Sequence, residues 1–136
     1  MSTADFVLKN GTVIDGTGQG RFQANVAIKD SVIAALDTSC SLRGAEEIDC
    51  KGLVIAPGFL DTHSHSDLRV LTEPQLPMKT RQGITLEVFG QDGISVAPIP
   101  KVDQPQVARS LAGLDGDLGR AWDWESVGEY LSAIER

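Results

Sequence analysis

Two histidines, His63 and His65, are the only imidazole side chains in the 136 residues, and they lie one residue apart in the segment PGFLDTHSHSD. If this segment is a β-strand, residues i and i+2 point to the same side, so both rings face one space. Neutral imidazoles suit zinc or another borderline divalent metal, and a strand fixes their spacing in advance. The pattern indicates a metal site, with two half-exposed histidines at a strand end as the alternative.

Two carboxylates flank the histidine pair, since Asp61 precedes it and Asp67 follows it. Such carboxylates can orient a ligating imidazole through its second nitrogen, or they can join the site themselves. A His-x-His spacing is a weak signal when it stands alone. The apolar stretch before the pair and the acids on both sides therefore carry most of the interpretation.

The first part of the chain, residues 5–56, has the pattern of β-structure. Asn10-Gly11 predicts a type I′ hairpin turn that joins the strands DFVL and TVID. Asp30-Ser31 predicts a second hairpin, between NVAIK and VIAAL, although serine is a weaker turn residue than glycine. The stretch DGTGQGR lacks the GxGxxG spacing of a phosphate-binding loop, so we interpret it as a flexible connection between strands.

The sequence pattern changes at Leu53, where the apolar run LVIAPGFLD begins. Pro57-Gly58 interrupts this run. This break predicts that one β-segment gives way to another, and it sets a domain boundary between residues 1–56 and 57–136. Residues 73–82 favour a helix that ends at Gly83, and TLEVFG then reads as a strand. The resulting strand, helix, strand order is typical of a parallel crossover.

Two further helices are predicted from apolar residues at helical spacing, and the tryptophans are interpreted as packing surface. The residues that carry these predictions are Val107, Leu111 and Leu114 for the first helix, Val127, Tyr130, Leu131 and Ile134 for the second, and Trp122 and Trp124 for the packing surface.

Composition limits the classes of partner. Twelve Lys and Arg against nineteen Asp and Glu give a net charge of −7, and no basic cluster is present, which disfavours nucleic acid. The apolar runs are too short for a membrane span, and the segment MSTADFVLKNG lacks the features of a signal peptide.

Cys40 and Cys50 form neither a CxxC pair nor a disulfide framework, so free thiols are expected. We expect a cytoplasmic protein that binds neither nucleic acid nor membrane.

Four stretches resemble, in order and spacing, the start of the amidohydrolase superfamily, and most closely its N-acyl-D-amino-acid deacylase (D-aminoacylase) branch. They are KNGTVIDGTG, NVAIKDSVIAAL, GLVIAPGFLDTHSHSD and RQGITLEVFGQDGIS, which together span most of the chain. The resemblance implies an α/β fold, the N-terminal part of a (β/α)₈ TIM barrel preceded by a small β-sandwich. It also implies hydrolysis of the amide bond of N-acyl-D-amino acids with one or two divalent metal ions, usually zinc.

The resemblance assigns His63 and His65 as metal ligands at the end of the first barrel strand, on the face where such barrels carry their chemistry. Many D-aminoacylases have a ligating cysteine in the motif that is written G-Q-D-G here, where this chain has Asp92. A carboxylate oxygen also ligates zinc, so Asp92 is the third predicted metal ligand, with an ordinary turn aspartate before Gly93 as the alternative. Asp67 resembles a family position that lines the substrate site.

The length of the chain bears on what it can do alone. A complete barrel takes about 250 residues, whereas about 80 follow Pro57 here. We therefore expect an incomplete barrel, inactive alone, whose partners are the remainder of the barrel or another chain and a small N-acyl-amino-acid substrate. The family's two further histidines and its proton-shuttling aspartate have no counterpart here, so no catalytic residue is assigned.

Two alternatives to a deacylase stay open. A cyclic-amide hydrolase of the dihydroorotase or hydantoinase type shares the His-x-His strand, although the G-Q-D-G loop counts against it. A non-catalytic β-rich module, which binds a metal or forms a subunit interface, is the alternative from a different class. Turnover of an N-acetyl-D-amino acid, against bound metal without turnover, separates the enzyme from the module.

Overall fold

The computed structural model describes residues 4–39 and 41–136. These residues form two compact units, one that ends at Pro57 and one that spans Gly58–Arg136. Cys40, a predicted free thiol, lies outside the described residues, while Cys50 is a free and buried thiol. Within the described ranges, every helix is too short or too polar to cross a membrane.

The first unit is a five-stranded sheet in the order β3-β2-β1-β4, with β5 also paired to β1. Its strands are β1 (Ala4–Val13), β2 (Phe22–Lys29), β3 (Val32–Asp37), β4 (Gly44–Asp49) and β5 (Val54–Ile55). The long strand β1 runs antiparallel to β2 and parallel to both β4 and β5. Small side chains on β1 and β2 form two compact apolar clusters, whose buried members are Ala4, Val7 and Ala27, and Val13, Ala24 and Val26.

One of the two predicted hairpins forms, and the other does not. Asp30 and Ser31 have φ angles of 51° and 62° and join β2 to its antiparallel neighbour β3. The hairpin predicted at Asn10-Gly11 is wrong, because β1 continues through both residues. Asn10 has a φ angle of 61°, and the register of β1 against β2 shifts between Leu8 and Gly11. The left-handed residue therefore makes a β-bulge within one strand instead of a turn between two.

The second unit combines a two-stranded parallel sheet with four helices. Its elements are β6 (Phe59–Asp61), α1 (Arg69–Thr72), α2 (Pro77–Thr80), β7 (Ile84–Glu87), α3 (Gln104–Leu111) and α4 (Val127–Ile134). β6 and β7 pair in parallel, as the strand, helix, strand order predicts. The helix predicted over residues 73–82 is wrong in extent, because Pro74 and Pro77 disfavour helix in the residues before them and confine α2 to four residues.

Glycine allows β6 and β7 to begin side by side. A Cβ added to Gly58 would clash with the side chain of Thr85, so any larger residue there would force the two strands to shift. Gly83, at a φ angle of 81°, ends the turn before β7. Because parallel strands end at the same edge of a sheet, the segments that follow β6 and β7 emerge together.

The apolar core of the second unit is built around Trp124, which is 1% exposed. Trp122 stacks on Trp124 with ring centroids 5.4 Å apart, and Nε1 of Trp124 donates a hydrogen bond to the Val96 carbonyl at 2.8 Å. The interpretation of both tryptophans as packing residues is confirmed. The predicted helix around Val107 forms as α3, but it ends at Leu111, so Leu114 lies beyond it.

Candidate metal centre

The His-x-His segment lies directly after β6, so the prediction that both histidines are on a strand is wrong. The strand ends at Asp61, although the Val88 N–H still donates to the Asp61 carbonyl at 2.9 Å and the Ser64 N–H to the Val88 carbonyl at 3.3 Å. Those bonds hold the segment against the residues that follow β7. The His63 and His65 rings consequently still lie together, with centroids 5.4 Å apart.

Asp92 reaches both rings from the 3₁₀ turn Gln91–Gly93 that follows β7. Its φ and ψ angles of 58° and 20° lie in the left-handed region, which aspartate tolerates better than most residues. Its Oδ2 atom lies 3.1 Å from Nε2 of His63 and 3.3 Å from Nε2 of His65. The three candidate ligand atoms all fall within 4.8 Å of one another. Asp92 is thus both a turn residue and a member of the cluster.

The donor set fits a borderline divalent metal. In tetrahedral zinc with bonds of roughly 2.0–2.1 Å, neighbouring ligand atoms are about 3.3 Å apart. The observed separations between nitrogen and oxygen, 3.1 and 3.3 Å, match that spacing. Two imidazoles and one carboxylate are also a ligand set that zinc enzymes use, with the remaining position left for substrate or water. The same separations permit hydrogen bonds from the imidazoles to the carboxylate. A measurement of bound metal distinguishes a metal site from a hydrogen-bonded cluster.

The cluster is open on one side and buried on the other. The side chains of His63 and Asp92 are 57% and 55% exposed, whereas that of His65 is 19% exposed. Solvent and small molecules can therefore approach His63 and Asp92, while His65 faces the interior. This gradient of exposure is the arrangement that a metal site with a substrate entrance needs.

Two buried carboxyl groups, Asp67 and Asp115, lie next to His65. Burial raises the pKa of Asp67, and burial followed by the charge of Asp67 raises the pKa of Asp115. The Gly90 N–H donates to Oδ1 of Asp67 at 3.2 Å, which connects the segment after β7 to the segment after β6. The predicted substrate-binding Asp67 is only 2% exposed, and its Oδ2 has no hydrogen-bond partner among the described residues.

Sequence reasoning missed Asp115. Its Oδ1 lies 3.6 Å from Nδ1 of His65, and its side chain is 1% exposed. In the sequence it stands in the stretch GLDGDLG, two residues from Asp117, and both look like turn residues. No local pattern distinguishes the two aspartates, because only the packing of the segment after α3 brings Asp115 to His65.

Lys79 on α2 connects the ends of β6 and β7. Its ammonium group forms an ion pair with Asp61 and lies 2.9 Å from Oε1 of Glu87. The hydrogen bond from Lys79 holds the pKa of Asp61 below its usual range, and Oδ1 of Asp61 accepts the His63 backbone N–H at 3.2 Å. Asp61 therefore fixes the backbone at His63 and does not orient a ring. The flanking aspartate could be identified from the sequence, but its lysine and glutamate partners could not.

The fold and this cluster agree with the results of comparison with known families. The sequence profile of the Amidohydrolase family matches residues 46–134, so the chain belongs to that family. This confirms the family predicted from the sequence.

Two relatives show which members of the family this chain resembles. N-acyl-D-glutamate deacylase of Alcaligenes xylosoxydans xylosoxydans is 42% identical over 131 residues, which are 96% of this chain and 26% of the relative. N-acyl-D-aspartate deacylase of the same organism is 41% identical over 103 residues, which are 76% of this chain and 21% of the relative. The chain thus spans about a quarter of the length of the relatives that it matches.

A solved crystal structure also matches this chain in three dimensions. The crystal structure of N-acyl-D-glutamate deacylase from Bordetella bronchiseptica, complexed with zinc and a phosphonate inhibitor that mimics the tetrahedral intermediate of the reaction, matches with a TM-score of 0.82 and 36% identity. The match covers 98% of this chain and 27% of that chain. The mixed α/β architecture described above is therefore shared with that solved structure.

Proposed function

We propose that this chain is part of a metal-dependent hydrolase that cleaves the amide bond of N-acyl-D-amino acids. The observation that carries the proposal is the approach of Nε2 of His63 and Nε2 of His65 to one oxygen of Asp92, at 3.1 and 3.3 Å. The substrate class is supported by the relatives, which are 42% and 41% identical and are named as deacylases of N-acyl-D-glutamate and N-acyl-D-aspartate.

The proposal gives each unit a place in a larger fold. β6 and β7 are the first two strands of a (β/α)₈ barrel formed by residues 57–136 and further chain, and residues 1–56 belong to a small β-sandwich. The parallel pairing of β6 and β7 across intervening helices supports this assignment. The candidate ligands follow the carboxyl ends of both strands, which is the face on which such barrels carry their active sites.

The proposed roles follow from the contacts of each side chain. When bound, zinc or another divalent ion, in one or two sites, supplies a Lewis acid for amide hydrolysis. His63 and His65 hold the ion through Nε2, and Asp92 holds it through a carboxylate oxygen. Asp67, whose Oδ2 is buried and has no hydrogen-bond partner among the described residues, remains the proposed substrate-side carboxyl group. The family's proton-shuttling aspartate has no counterpart among the described residues, so proton transfer is assigned to further chain.

The proposed partners are a small N-acyl-amino acid and the remainder of the barrel, from the same chain or another. A net charge of −7 supports neither nucleic acid nor an anionic membrane surface as a partner. We place the enzyme in the cytoplasm, because the buried Cys50 is a free thiol and reducing compartments keep thiols in that state.

The proposed activity can be tested on the full-length protein loaded with zinc. We expect release of acetate from the N-acetyl-D forms of glutamate, aspartate and leucine, and none from the L forms. A hydantoin serves as the comparison substrate. Ring opening of the hydantoin without deacylation would replace the proposal with a cyclic-amide hydrolase. Stoichiometric zinc without turnover of either substrate would replace it with a non-catalytic metal-binding module.

The 136 residues expressed alone provide a matched negative control. Large apolar side chains on the short sheet are exposed, namely Phe59 at 63%, Leu60 at 64% and Leu86 at 49%, and Val88, directly after β7, is 42% exposed. Barrel strands bury such residues on both faces, so we expect self-association in light scattering and no turnover. A monodisperse monomer that turns over substrate at about 1 per second or faster would contradict the expectation.

A further inference from the structure

The buried side of the metal cluster contains two polar atoms that face each other. Nδ1 of His65 and Oδ1 of Asp115 lie 3.6 Å apart, and neither has a hydrogen-bond partner among the described residues. Burying an unpaired carboxyl oxygen and an unpaired imidazole nitrogen costs free energy, and native interiors satisfy most such groups. The two atoms are within about 0.7 Å of hydrogen-bond distance, so a small ring rotation satisfies both at once.

The segment that carries Asp115 is held by its own contacts. The Leu114 and Asp115 N–H groups both donate to the Leu111 carbonyl, at 2.8 and 2.9 Å. Leu111 is the last residue of α3 and packs in the core with Trp124. The carboxyl group is therefore presented to His65 by a turn that is anchored in the apolar core.

We propose that Asp115 is the positioning residue of His65, whose Nδ1–H it accepts, so that the lone pair of Nε2 points at the metal site. The inference rests on the proposed metal site and adds to it a residue outside the ligand set. A ligating histidine commonly donates its other ring N–H to a carboxylate, which fixes the tautomer and the ring orientation. Asp115 would act through His65 without touching the metal.

The two histidines then differ in how they are held. His65 is 19% exposed and has Asp115 behind it, whereas the His63 side chain is 57% exposed. Asp115 should consequently affect the His65 ring and leave the His63 ring unchanged. This asymmetry separates a positioning role from a general structural role, which would disturb both rings.

The first measurement is the affinity of the full-length protein for zinc, determined by competition with a chelator of known affinity. Asp115→Leu, which keeps the branched shape of the side chain and removes the acceptor, should weaken binding about 10- to 100-fold. Asp115→Asn, which keeps an acceptor oxygen, should lose less. Asp117→Asn is the matched control, because that exposed aspartate in the same loop caps the Gly119 N–H at 2.9 Å and does not face His65. Its zinc affinity should equal that of the parent.

The second measurement detects the hydrogen bond itself in the zinc-loaded parent protein, labelled with ¹⁵N-histidine. We expect a slowly exchanging Nδ1–H resonance for His65, assigned by its loss in His65→Gln. It should disappear in Asp115→Leu and remain, with weaker protection, in Asp115→Asn, which keeps an acceptor oxygen. Parent-like zinc affinity in Asp115→Leu, or no protected resonance in a parent that binds zinc, would overturn the inference. Absence of zinc binding in the parent would instead overturn the metal site on which it rests.

Discussion

The two units of the chain differ in how many polar side chains they bury. In the first unit, carboxylates sit at the surface and cap loops, as Asp37 does when it accepts hydrogen bonds from the backbone N–H groups of Ser39, Ser41 and Leu42. In the second unit, polar side chains are buried around the segments that follow β6 and β7. The buried polar residues there are Ser64, Ser66, Asp67, Gln104 and Asp115.

The two units also differ in the number of buried side-chain atoms that have no hydrogen-bond partner. Among the described residues, the first unit has one such buried side-chain atom, Nδ2 of Asn25. The second unit has four, on His65, Asp67, Glu87 and Asp115. Because buried polar groups are normally hydrogen-bonded, a concentration of unpaired ones marks a place where the chain is built to hold something else. In the proposed function, the first unit is a scaffold and the second unit carries the metal site.

The largest effect that tests this comparison is the loss of metal. His63→Ala and His65→Ala in the full-length protein should each abolish stoichiometric zinc, because either change removes one of three candidate donors. Metal content is measured by atomic emission after gel filtration. Gln23→Ala in the first unit is the control and should keep the parental stoichiometry. Unchanged zinc in both histidine variants would remove the assignment.

A smaller effect is expected at Asp92. Asp92→Asn should weaken zinc retention, since an amide oxygen carries no full charge, and asparagine also tolerates the left-handed φ of 58°. A loss in that variant therefore cannot be attributed to the backbone. Asp92→Cys supplies a thiolate and should preserve or raise zinc affinity. If both variants held zinc like the parent, Asp92 would be only a turn residue.

The next effect is on the stability of helix α4, which contacts the candidate site through Tyr130 and Asp67. Ser126 caps α4 by accepting the Glu129 N–H, and Tyr130 on the same helix donates its hydroxyl to the Asp67 carbonyl at 2.7 Å. Ser126→Ala should cost about 1 kcal/mol, seen as faster amide exchange in the first turn of α4. Ser132→Ala on the same helix is the control. Equal exchange in both variants would show that the cap contributes nothing.

The smallest effect on metal binding is expected from the first unit. Its Ser39 and Ser41 hydrogen bonds lower the pKa of Asp37 far below the usual value. A lowered pKa means that the stabilisation is full above the unfolded-state pKa of about 3.9 and is lost as the pH falls towards the folded-state value. Protection of the Ser41 and Leu42 amides should thus persist below pH 4. Asp37→Ala should remove it at every pH and leave zinc content unchanged, and altered zinc content would break the division between the units.

Features that local periodicity or turn chemistry determines could be predicted from the sequence. Helix α4 follows from the spacing of Val127, Tyr130 and Ile134, and the β2–β3 hairpin follows from Asp30-Ser31. The turn at Asn10-Gly11 failed because a left-handed residue serves equally well in a β-bulge, and pairing with β2, β4 and β5 on both sides of β1 decided the outcome.

Only the site residues that belong to a recognisable sequence motif could be predicted. His63 and His65 lie one residue apart in a single motif, and Asp92 was identified through a family motif. Asp115 and Lys79 join the site through packing of α2 and of the segment after α3, which no spacing along the chain encodes. Sequence patterns identify the groups that a metal would contact, whereas the groups that position them depend on tertiary contacts.

The most direct test is a crystal structure of the full-length, zinc-loaded protein with data collected at the zinc absorption edge. We predict an anomalous peak within roughly 2.0–2.2 Å of Nε2 of His63, Nε2 of His65 and a carboxylate oxygen of Asp92. A structure in which these three side chains only hydrogen-bond to one another, while zinc is absent or bound elsewhere, would contradict the account.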